Sequence, residues 1–237
     1  MRVTIPSRAR PNFLALKVFQ KPLVFVEPRD CDVYKQNINT EVLMLDKNDC
    51  GISHSRNAIL DYMGDEIFCM ADDDIVGIYS KEGKKFVRVE AETMLNRVQE
   101  VMEHNNIAFM GFPTKAYSWC KDKEFTKDTK VINIAFINGK MLKPFRYDEN
   151  ISHGEDVDFC IQLIRSGVSI YTYNNFTYIN AKGGSQQGGC QGMRTVESML
   201  KDVDYMNLKW GKGTIKSMVV DGIVSHRVRW SQKGKNG

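Results

Sequence analysis

The triplet Asp72-Asp73-Asp74 is the segment whose residue types and spacing most directly suggest chemistry. It follows the apolar run 67–71, which is typical of a buried strand, so three carboxylates stand where that strand ends. Adjacent charges at such a place are costly to bury unless a cation or hydrogen bonds compensate them. Ordinary turns use one or two Asp with Gly or Pro. The triplet alone is compatible with either a solvated turn or a carboxylate cluster for a hard metal ion.

The spacing within the triplet separates its members. Side chains two residues apart on an extended segment point to the same side, so Asp72 and Asp74 can share a ligand. Asp73 then points away or bonds the backbone. Ligation by oxygen atoms alone suits magnesium or manganese. We therefore predict a divalent ion whose remaining ligands come from a diphosphate and from water.

A second acidic group stands at Glu155 and Asp156, between Gly154 and an apolar helical pattern. The helix dipole favours acids in a first turn, and this structural explanation is sufficient by itself. A carboxylate there can also act as a general base. Its pKa is expected to stay low, which suits removal of an alcohol proton only in concert with bond formation.

Three further residues have side chains suited to binding. Arg56 and Asn57 lie near the start of a predicted helix, where Arg can contact phosphate and Asn offers both a donor and an acceptor. The alternative is an ordinary surface cap. His226 follows the strand-like pair Val219-Val220, and a lone His is more often structural than a ligand. It gains a role only if the fold carries it back to Asp74.

The elements that must position these residues alternate between strand and helix in the first half of the chain. Such alternation predicts a parallel α/β sheet, in which ligands bind beyond the carboxyl ends of the strands. The segment Pro6–Arg8, Glu27, Asp46 and the triplet all lie at such ends. The predicted elements are strands Val3–Ile5, Leu23–Val26, Val42–Leu45 and Glu66–Ala71, and a helix His54–Met63 capped by Ser53.

The second half is more varied. A hairpin, three further strands, three helices and a Gly-rich loop are predicted, and the tail from Lys233 is expected to fray. The predicted elements are a hairpin Gly77–Val89, helix Ala91–His104, strand Ile107–Phe112, polar segment Lys115–Lys130, strand Val131–Asn138, helix Asp156–Ser166 ended by Gly167, strand Val168–Tyr173, loop Lys182–Met193 and helix Thr195–Leu208.

The bulk composition is that of a globular protein. With 237 residues, 42% hydrophobic and 26% charged, the chain fits one large domain, and no boundary divides it. A net charge of +4 is compatible with a polyanionic partner. Six cysteines without a C-x-x-C pair exclude zinc-ribbon spacing and favour a reducing compartment. Without a secretory signal or an apolar run long enough for a membrane span, we expect a cytoplasmic protein.

Taken together, these segments resemble glycosyltransferases of the GT-A fold. The most specific stretch runs from Gly51 to Ile75: Gly-x-Ser-x-Ser-Arg-Asn-Ala-Ile-Leu, then Met-Gly-Asp-Glu-Ile, then the Asp triplet. The second is Gly-Glu-Asp-x-Asp-Phe from Gly154, preceded by Asn138-Gly139. The resemblance covers Val3 to about Tyr173. It implies an α/β fold with a mixed, mostly parallel Rossmann-like sheet flanked by helices and an acceptor-side extension. We expect one domain, 1–237, with a nucleotide-sugar half (1–112) and an acceptor half (113–237).

The resemblance also implies a role for each matching residue. On the donor side, the implied nucleotide-sugar contacts come from Pro6, Ser7, Arg8, Glu27 (base or ribose), Arg56, Asn57, Asp72 (ribose or sugar) and Asp73, which is alternatively structural. Asp74, with Asp72, would hold Mn²⁺ or Mg²⁺ on the diphosphate, and His226 would be a further ligand. On the acceptor side, Asp156 would be the catalytic base and Glu155 would orient acceptor or sugar.

The chain is similar, more narrowly, to bacteriophage glycosyltransferases associated with TET-type oxygenases. That resemblance implies a UDP-sugar donor, 5-hydroxymethylcytosine in DNA as acceptor, and the host cytoplasm as location. Two basic groups with aromatic residues suit phosphate contact and base stacking, although solvated faces explain them equally well. The first comprises Lys115, Lys121, Lys123, Lys127 and Lys130 around Tyr117 and Trp119; the second comprises Lys209, Lys212, Lys216, Arg227, Arg229 and Lys233 near Trp210 and Trp230.

The function predicted from the sequence is metal-dependent sugar transfer to an acceptor hydroxyl, with inversion. Three alternatives stay open. The acceptor could be a glycan or lipid carrier. A nucleotidyltransferase could use paired Asp residues, although it normally has a Gly-rich phosphate loop and Pro6–Pro11 has no Gly. A non-catalytic nucleic-acid-binding module would need only the lysines. The sequence leaves the sugar and the oligomeric state open.

Overall fold

A computed structural model describes residues 1–83, 85–118, 123–181, 195–220 and 223–230. The predicted loop Lys182–Met193, Trp119, Lys121 and the tail from Lys233 lie outside these residues. The strands are β1 (Arg2–Pro6), β2 (Leu23–Val26), β3 (Val42–Met44), β4 (Ile67–Ala71), β5 (Ile75–Glu82), β6 (Lys85–Arg88), β7 (Phe109–Gly111), β8 (Phe125–Lys127), β9 (Ile134–Asn138), β10 (Ile170–Tyr173), β11 (Phe176–Asn180), β12 (Ile215–Val220) and β13 (Ile223–Val228).

The helices lie between these strands. They are α1 (Cys31–Asn37), α2 (Gly51–Met63), α3 (Ala91–His104), α4 (Lys115–Ser118), α5 (Gly139–Leu142), α6 (Glu155–Arg165) and α7 (Val196–Trp210), with 3₁₀ turns at Leu14–Lys17 and Pro28–Asp30.

An eight-stranded sheet in the order β3-β2-β1-β4-β9-β7-β10-β8 forms the centre of the molecule. Its first four strands are parallel, and β7 pairs with β10 in parallel. Strand β9 runs antiparallel to both β4 and β7, and β8 runs antiparallel to β10. The predicted mixed, mostly parallel α/β sheet is confirmed. Because β1, β2 and β4 are parallel, their carboxyl ends meet at one edge of the sheet.

Both faces of the sheet are covered. Along β4 the side chains alternate, as the strand period requires: Cys69 and Ala71 pack into one hydrophobic core, and Phe68 and Met70 into the other. The first core includes α3 and the second includes α2 and α6. A strand buried on both faces must be apolar throughout, and this explains why the run before the Asp triplet carries no polar residue.

Two smaller sheets and a C-terminal helix complete the fold. Strand β5 leaves the triplet directly and pairs with β11 and β6. The hairpin β12–β13 packs with α7. A third apolar core, which includes Val157 of α6 and Met206 of α7, joins this C-terminal layer to α6. The proposed division of the domain near residue 112 stays a prediction.

Most predicted elements are present, and the differences concern helix boundaries and elements that were not predicted. Helix α3 has the predicted bounds, whereas α2 begins at Gly51 rather than His54. Ser53 is therefore not the N-cap: it lies inside α2 and its hydroxyl donates to the carbonyl of Ile151 at 3.1 Å. Helix α6 begins one residue earlier than predicted, at Glu155. Strand β11 was not predicted, although the turn at Asn174 and Asn175 separates it from β10. The other elements that were not predicted are helices α1, α4 and α5 and strands β8 and β13.

Candidate active site

A cleft of ≈ 430 Å³ opens at the edge where β1, β2 and β4 end. Every residue predicted to act at the site lines this cleft, apart from Asn57. The predicted residues in its wall are Pro6, Ser7, Arg8, Glu27, Arg56, Asp72, Asp73, Asp74, Glu155, Asp156 and His226. The tertiary structure thus brings the Asp triplet and the acidic pair of α6 into one concave site. The chemical role of each residue stays a prediction.

Asp73 is held by the segment that follows β1. The Ser7 hydroxyl donates to its Oδ2 at 2.7 Å, and Arg10 Nη1 donates to its Oδ1 at 2.7 Å. Its backbone carbonyl accepts from Ala15 N. Burial raises the pKa of Asp73, whereas Arg10 and Ser7 lower it. These contacts favour a structural role for Asp73 over a contact with the nucleotide. The sequence predicted that Asp73 points away or bonds the backbone, and its carboxylate is bound by the side chains of Ser7 and Arg10.

Asp72 and Glu155 are bridged by Arg56. The guanidinium lies 3.1 Å from Asp72 Oδ1 through Nη2 and 3.1 Å from Glu155 Oε1 through Nη1. Arg56 and Glu155 are 7% and 6% exposed, so this contact lies in the floor of the cleft. Burial raises the pKa of Asp72, and Arg56 lowers it. The carboxylates of Asp74, Glu155 and Asp156 raise it further, and a bound cation would relieve this repulsion.

Asp74 offers an oxygen that fits a cation. Its Oδ1 is buried and has no hydrogen-bond partner. Burial raises the pKa of Asp74, Asp73 raises it further, and a hydrogen bond from Asn180 lowers it. In the part of the chain that the structure describes, no three His, Cys, Asp or Glu side chains converge as a metal site. An ion here would therefore need ligands from the diphosphate and water, as the sequence predicts.

His226 lies on β13 and lines the same cleft beside the start of α6. A Cβ placed on Gly154 would lie 3.5 Å from its Cε1, so the imidazole packs against the residue before α6. Its Nε2 is buried without a hydrogen-bond partner. Burial lowers the pKa of His226, Asp156 raises it, and Lys130 lowers it. The fold brings His226 into the cleft near Asp156, and its role as a metal ligand stays a prediction.

Glu27 follows β2 and is only 3% exposed. Its Oε2 accepts from Arg29 at 2.7 Å and lies 3.6 Å from Arg8 Nε. Arg8 and Arg29 both also pair with Asp49. The two arginines compensate the buried charge of Glu27, and Arg8 and Glu27 both line the cleft.

Asp156 stands in the first turn of α6, half-buried at the cleft wall. Gly154 precedes the helix with φ +84°, a backbone conformation that disfavours any side chain. This turn directs Glu155 inward to Arg56 and leaves Asp156 at the cleft. One oxygen of Asp156 accepts from Val157 N at 2.7 Å. The geometry is compatible with a base aimed at an acceptor hydroxyl.

The acidic motif of α6 is tied to the C-terminal layer by Asp158. This fully buried carboxylate accepts from Trp210 Nε1 at 2.6 Å and from Lys209 Nζ at 2.9 Å. Burial raises the pKa of Asp158, whereas the hydrogen bonds from Lys209 and Trp210 lower it. Next to it, the backbone N of His153 donates to Asp202 at 2.8 Å. Helix α7 therefore holds the start of α6 in place.

The structure directs Asn57 away from the cleft. Its side-chain amide donates to the carbonyl of Tyr147 at 2.9 Å and accepts from Tyr147 N at 2.8 Å. Both hydrogen-bonding groups of Asn57 thus bind the segment before α6. This placement does not favour the predicted contact between Asn57 and the nucleotide, which stays a prediction.

The basic groups are only partly at the surface. Lys209 and Trp210 bind Asp158 internally, so they are structural rather than available to phosphate. Lys115 places its ammonium 4.0 Å from the ring centroid of Tyr79, and the nearby Tyr117 is 71% exposed. Contact with nucleic acid stays a prediction.

Six polar residues in the cleft wall were not among the predicted site residues: Arg10, Ser55, Lys130, Asn133, His153 and Asn180. The carbonyl of Asn133 accepts from Asp72 N at 2.7 Å and so fixes the start of the triplet. Asn180 reaches Asp74 because β11 pairs with β5. Lys130 carried a sequence signal, as a member of the first basic group. Asn133 and Asn180 carried none, because strand pairing brings them to the triplet.

The sequence model of one protein family matches most of the chain. It is described as TET-Associated Glycosyltransferase, and it matches residues 1–189. No curated protein matches the sequence. Within the described residues, no helix combines the length and apolarity needed to cross a membrane.

Solved structures with a similar fold are GT-A glycosyltransferases. Glucosyl-3-phosphoglycerate synthase from Mycobacterium tuberculosis, in complex with Mg²⁺ and UDP, matches with TM-score 0.57 and 8% identity over 96% of this chain and 86% of that one. TarS 1-349 from S. aureus in complex with UDP-GlcNAc matches with TM-score 0.56 and 14% identity over 88% of this chain and 66% of that one. The complex of TarS 1-349 with UDP matches with TM-score 0.53 and 13% identity over 88% of this chain and 65% of that one. The chain thus spans about two thirds of TarS 1-349. At these identities the likeness concerns the fold, which is GT-A as predicted.

Proposed function

We propose, because this chain belongs to the TET-associated glycosyltransferase family, that it transfers a sugar from a UDP-sugar to a hydroxyl group of its acceptor, 5-hydroxymethylcytosine in DNA. One observation carries the proposal: the triplet that ends β4 and the acidic pair that opens α6 line one cleft. A sugar transferase needs both a place for a diphosphate leaving group and a base for the acceptor. The two acidic groups are suited to these two tasks.

The donor site is proposed at the carboxyl ends of β1, β2 and β4. Pro6, Ser7 and Arg8 would line the nucleotide pocket, and Glu27 would contact the base or ribose. The complexes of similar fold that contain UDP or UDP-GlcNAc support a uridine nucleotide as donor. The buried, compensated charge of Glu27 is suited to accept hydrogen bonds from a base or ribose.

The proposed divalent ion would be held by Asp74 and Asp72, with His226 as a further candidate ligand. The buried, unpartnered Oδ1 of Asp74 and the repulsion at Asp72 fit a cation. When bound, Mn²⁺ or Mg²⁺ supplies charge compensation for a departing diphosphate. Related folds solved with Mg²⁺ or Mn²⁺ and UDP support this proposal.

Asp156 is proposed as the general base. It would accept the acceptor hydroxyl proton as the hydroxyl oxygen bonds to the anomeric carbon and the bond from that carbon to the diphosphate oxygen breaks. UDP then leaves as the second product. A base on the acceptor side implies a single displacement, and therefore inversion at the anomeric carbon.

The acceptor is tested by incubating the protein with UDP-sugars and duplex DNA that contains either 5-hydroxymethylcytosine or plain cytosine. We expect nucleoside mass spectrometry to detect a hexosyl or pentosyl adduct only on the hydroxymethylated DNA. UDP-sugar hydrolysis without any DNA adduct would instead favour a glycan or lipid-carrier acceptor. Salt-dependent DNA binding without UDP-sugar binding would favour a non-catalytic nucleic-acid module.

The metal proposal has its own experiment. Calorimetry of UDP binding should show high affinity with Mn²⁺ and an affinity lower by about tenfold or more after EDTA treatment. Asp74→Asn should reduce UDP affinity in the presence of Mn²⁺ to the level of the EDTA-treated protein. Unchanged affinity in EDTA would contradict metal-dependent donor binding.

A further inference from the structure

We propose that Arg56 is a positioning residue that couples the donor and acceptor sides of the cleft, rather than a direct nucleotide contact. This inference rests on the proposed function, because it assigns a task within that reaction. Its basis is the double ion pair that Arg56 makes with Asp72 and Glu155.

The geometry of Arg56 leaves little of its side chain for a ligand. Each terminal nitrogen of the guanidinium faces a different carboxylate, at 3.1 Å in both cases. The carbon between them lies 5.4 Å from the ring centroid of Tyr147, which covers the group. The remaining nitrogen, Nε, is buried. With 7% of the residue exposed, Arg56 lies in the floor of the cleft and presents little surface to a ligand.

The surrounding carboxylates explain why a positively charged side chain, that of Arg56, lies between Asp72 and Glu155. Four carboxylates, those of Asp72, Asp74, Glu155 and Asp156, line the same cleft as Arg56. Burial lowers the pKa of Arg56, but Glu155 and then Asp72 raise it, and the net result is a pKa above its ordinary value. Arg56 therefore stays charged and compensates carboxylates from both sides of the cleft. Removing Arg56 would leave the buried Glu155 and the partly buried Asp72 without their shared partner.

The link also fixes the proposed base. Glu155 is anchored by Arg56, and Asp156 is the next residue in the first turn of α6. A helix that is held at Glu155 by Arg56 and at Asp158 by Lys209 has little freedom at Asp156. The position of the base is thereby coupled to Asp72 on the donor side. Lys cannot reproduce this link, because one ammonium cannot present two separated donors in a fixed plane.

The test compares Arg56→Lys with wild type and with Arg2→Lys as the matched control. Arg2 pairs with Glu66 at the surface and does not line the cleft. We expect Arg56→Lys to lower kcat for sugar transfer by about 100-fold, because misplacing a reacting group by about 1 Å has an effect of this size. The Kd for UDP should change by less than threefold. Arg2→Lys should leave both quantities unchanged.

A double-mutant cycle with Glu155→Gln separates the possible roles. If Arg56 acts through Glu155, the double variant should lose no more kcat than Arg56→Lys alone. Additive losses, or a loss in UDP affinity larger than that in kcat, would overturn the proposal in favour of direct nucleotide contact. If Arg56→Lys lowers the Tm but keeps the wild-type kcat at temperatures below that Tm, the proposal is overturned in favour of a purely structural role.

Failure of the proposed function is distinguishable from failure of this inference. A wild-type protein that neither transfers nor hydrolyses a UDP-sugar contradicts the proposed function alone. The same cycle is then measured by thermal unfolding. A decrease in Tm for the double variant that is smaller than the sum of the two single decreases supports the link between Arg56 and Glu155. Additive decreases show that the two side chains are not coupled, which overturns the proposal.

Discussion

The two edges of the cleft, which we propose to bind donor and acceptor, are built in different ways. The proposed donor edge carries the Asp triplet, and the proposed acceptor edge carries the start of α6. At the donor edge, the acids follow parallel strands and are held by the segment after β1, as the contacts of Asp73 with Ser7 and Arg10 show. At the acceptor edge, α6 is held by α7 through Asp158, Lys209 and Trp210.

The family match does not reach the layer that supports the acceptor edge. The matching family model ends at residue 189, whereas α7 spans Val196–Trp210 and β13 lies beyond it. The donor edge therefore lies within the shared part of the chain, while the layer that supports the acceptor edge lies outside it. We infer that donor binding and acceptor chemistry can be disrupted separately.

The largest expected effect comes from Asp156→Asn, which removes the proposed base. We expect kcat for transfer to fall by about 10³-fold, since a positioned base contributes on this scale, while the Kd for UDP stays within twofold. Steady-state kinetics and calorimetry measure the two quantities. Asp204→Asn, at an exposed position of α7, serves as the control and should match wild type. Activity of Asp156→Asn near the wild-type level would exclude Asp156 as the base.

Asp158→Ala tests whether α7 supports the acceptor edge. The change leaves Lys209 and Trp210 without their buried partner, and we expect the free energy of unfolding to fall by about 3 kcal/mol. Denaturant titration measures this change, and UDP binding below the unfolding midpoint should survive. Glu197→Ala, which removes an exposed pair with Lys201 on the same helix, should cost less than about 0.5 kcal/mol. Equal losses for the two variants would show that Asp158 does not hold the edge.

Asp73→Asn is the corresponding change at the donor edge. It removes the charge that Arg10 compensates while keeping the shape, so we expect a smaller loss of about 1–2 kcal/mol in unfolding free energy. UDP affinity should fall less than in Asp74→Asn. If UDP affinity instead falls more than tenfold with unchanged stability, Asp73 is a direct ligand, as the family resemblance implied.

The smallest expected effect is the pH dependence contributed by His226. Because burial lowers its pKa from 6.5, the folded state binds fewer protons than the unfolded chain as the pH falls below that value. Stability is therefore complete above pH 6.5 and is lost as the pH falls through the lowered pKa. His226→Gln should flatten this part of the curve in denaturant titrations. A curve unchanged by His226→Gln would show that its burial is not maintained.

The sequence determined the local parts of this protein. Hydrophobic runs with polar ends predicted β1, β2 and β4, and a glycine followed by two acids predicted the start of α6, because both signals depend on neighbouring residues. The candidate acids and the GT-A fold followed from these segments.

Only the tertiary structure decided which groups meet. The bridge from Arg56 to Asp72 and Glu155, the turn of Asn57 toward Tyr147, and the pairing that brings Asn180 to Asp74 all join distant segments. Lys209 shows the same limit, because its place in a basic run gave no sign of the buried carboxylate that it binds. From side-chain type and spacing, the kinds of group that a residue can bond to are predictable, but its actual partner is not. The packing of helices on the sheet selects the partner, since burial makes an unpaired charge too costly to leave.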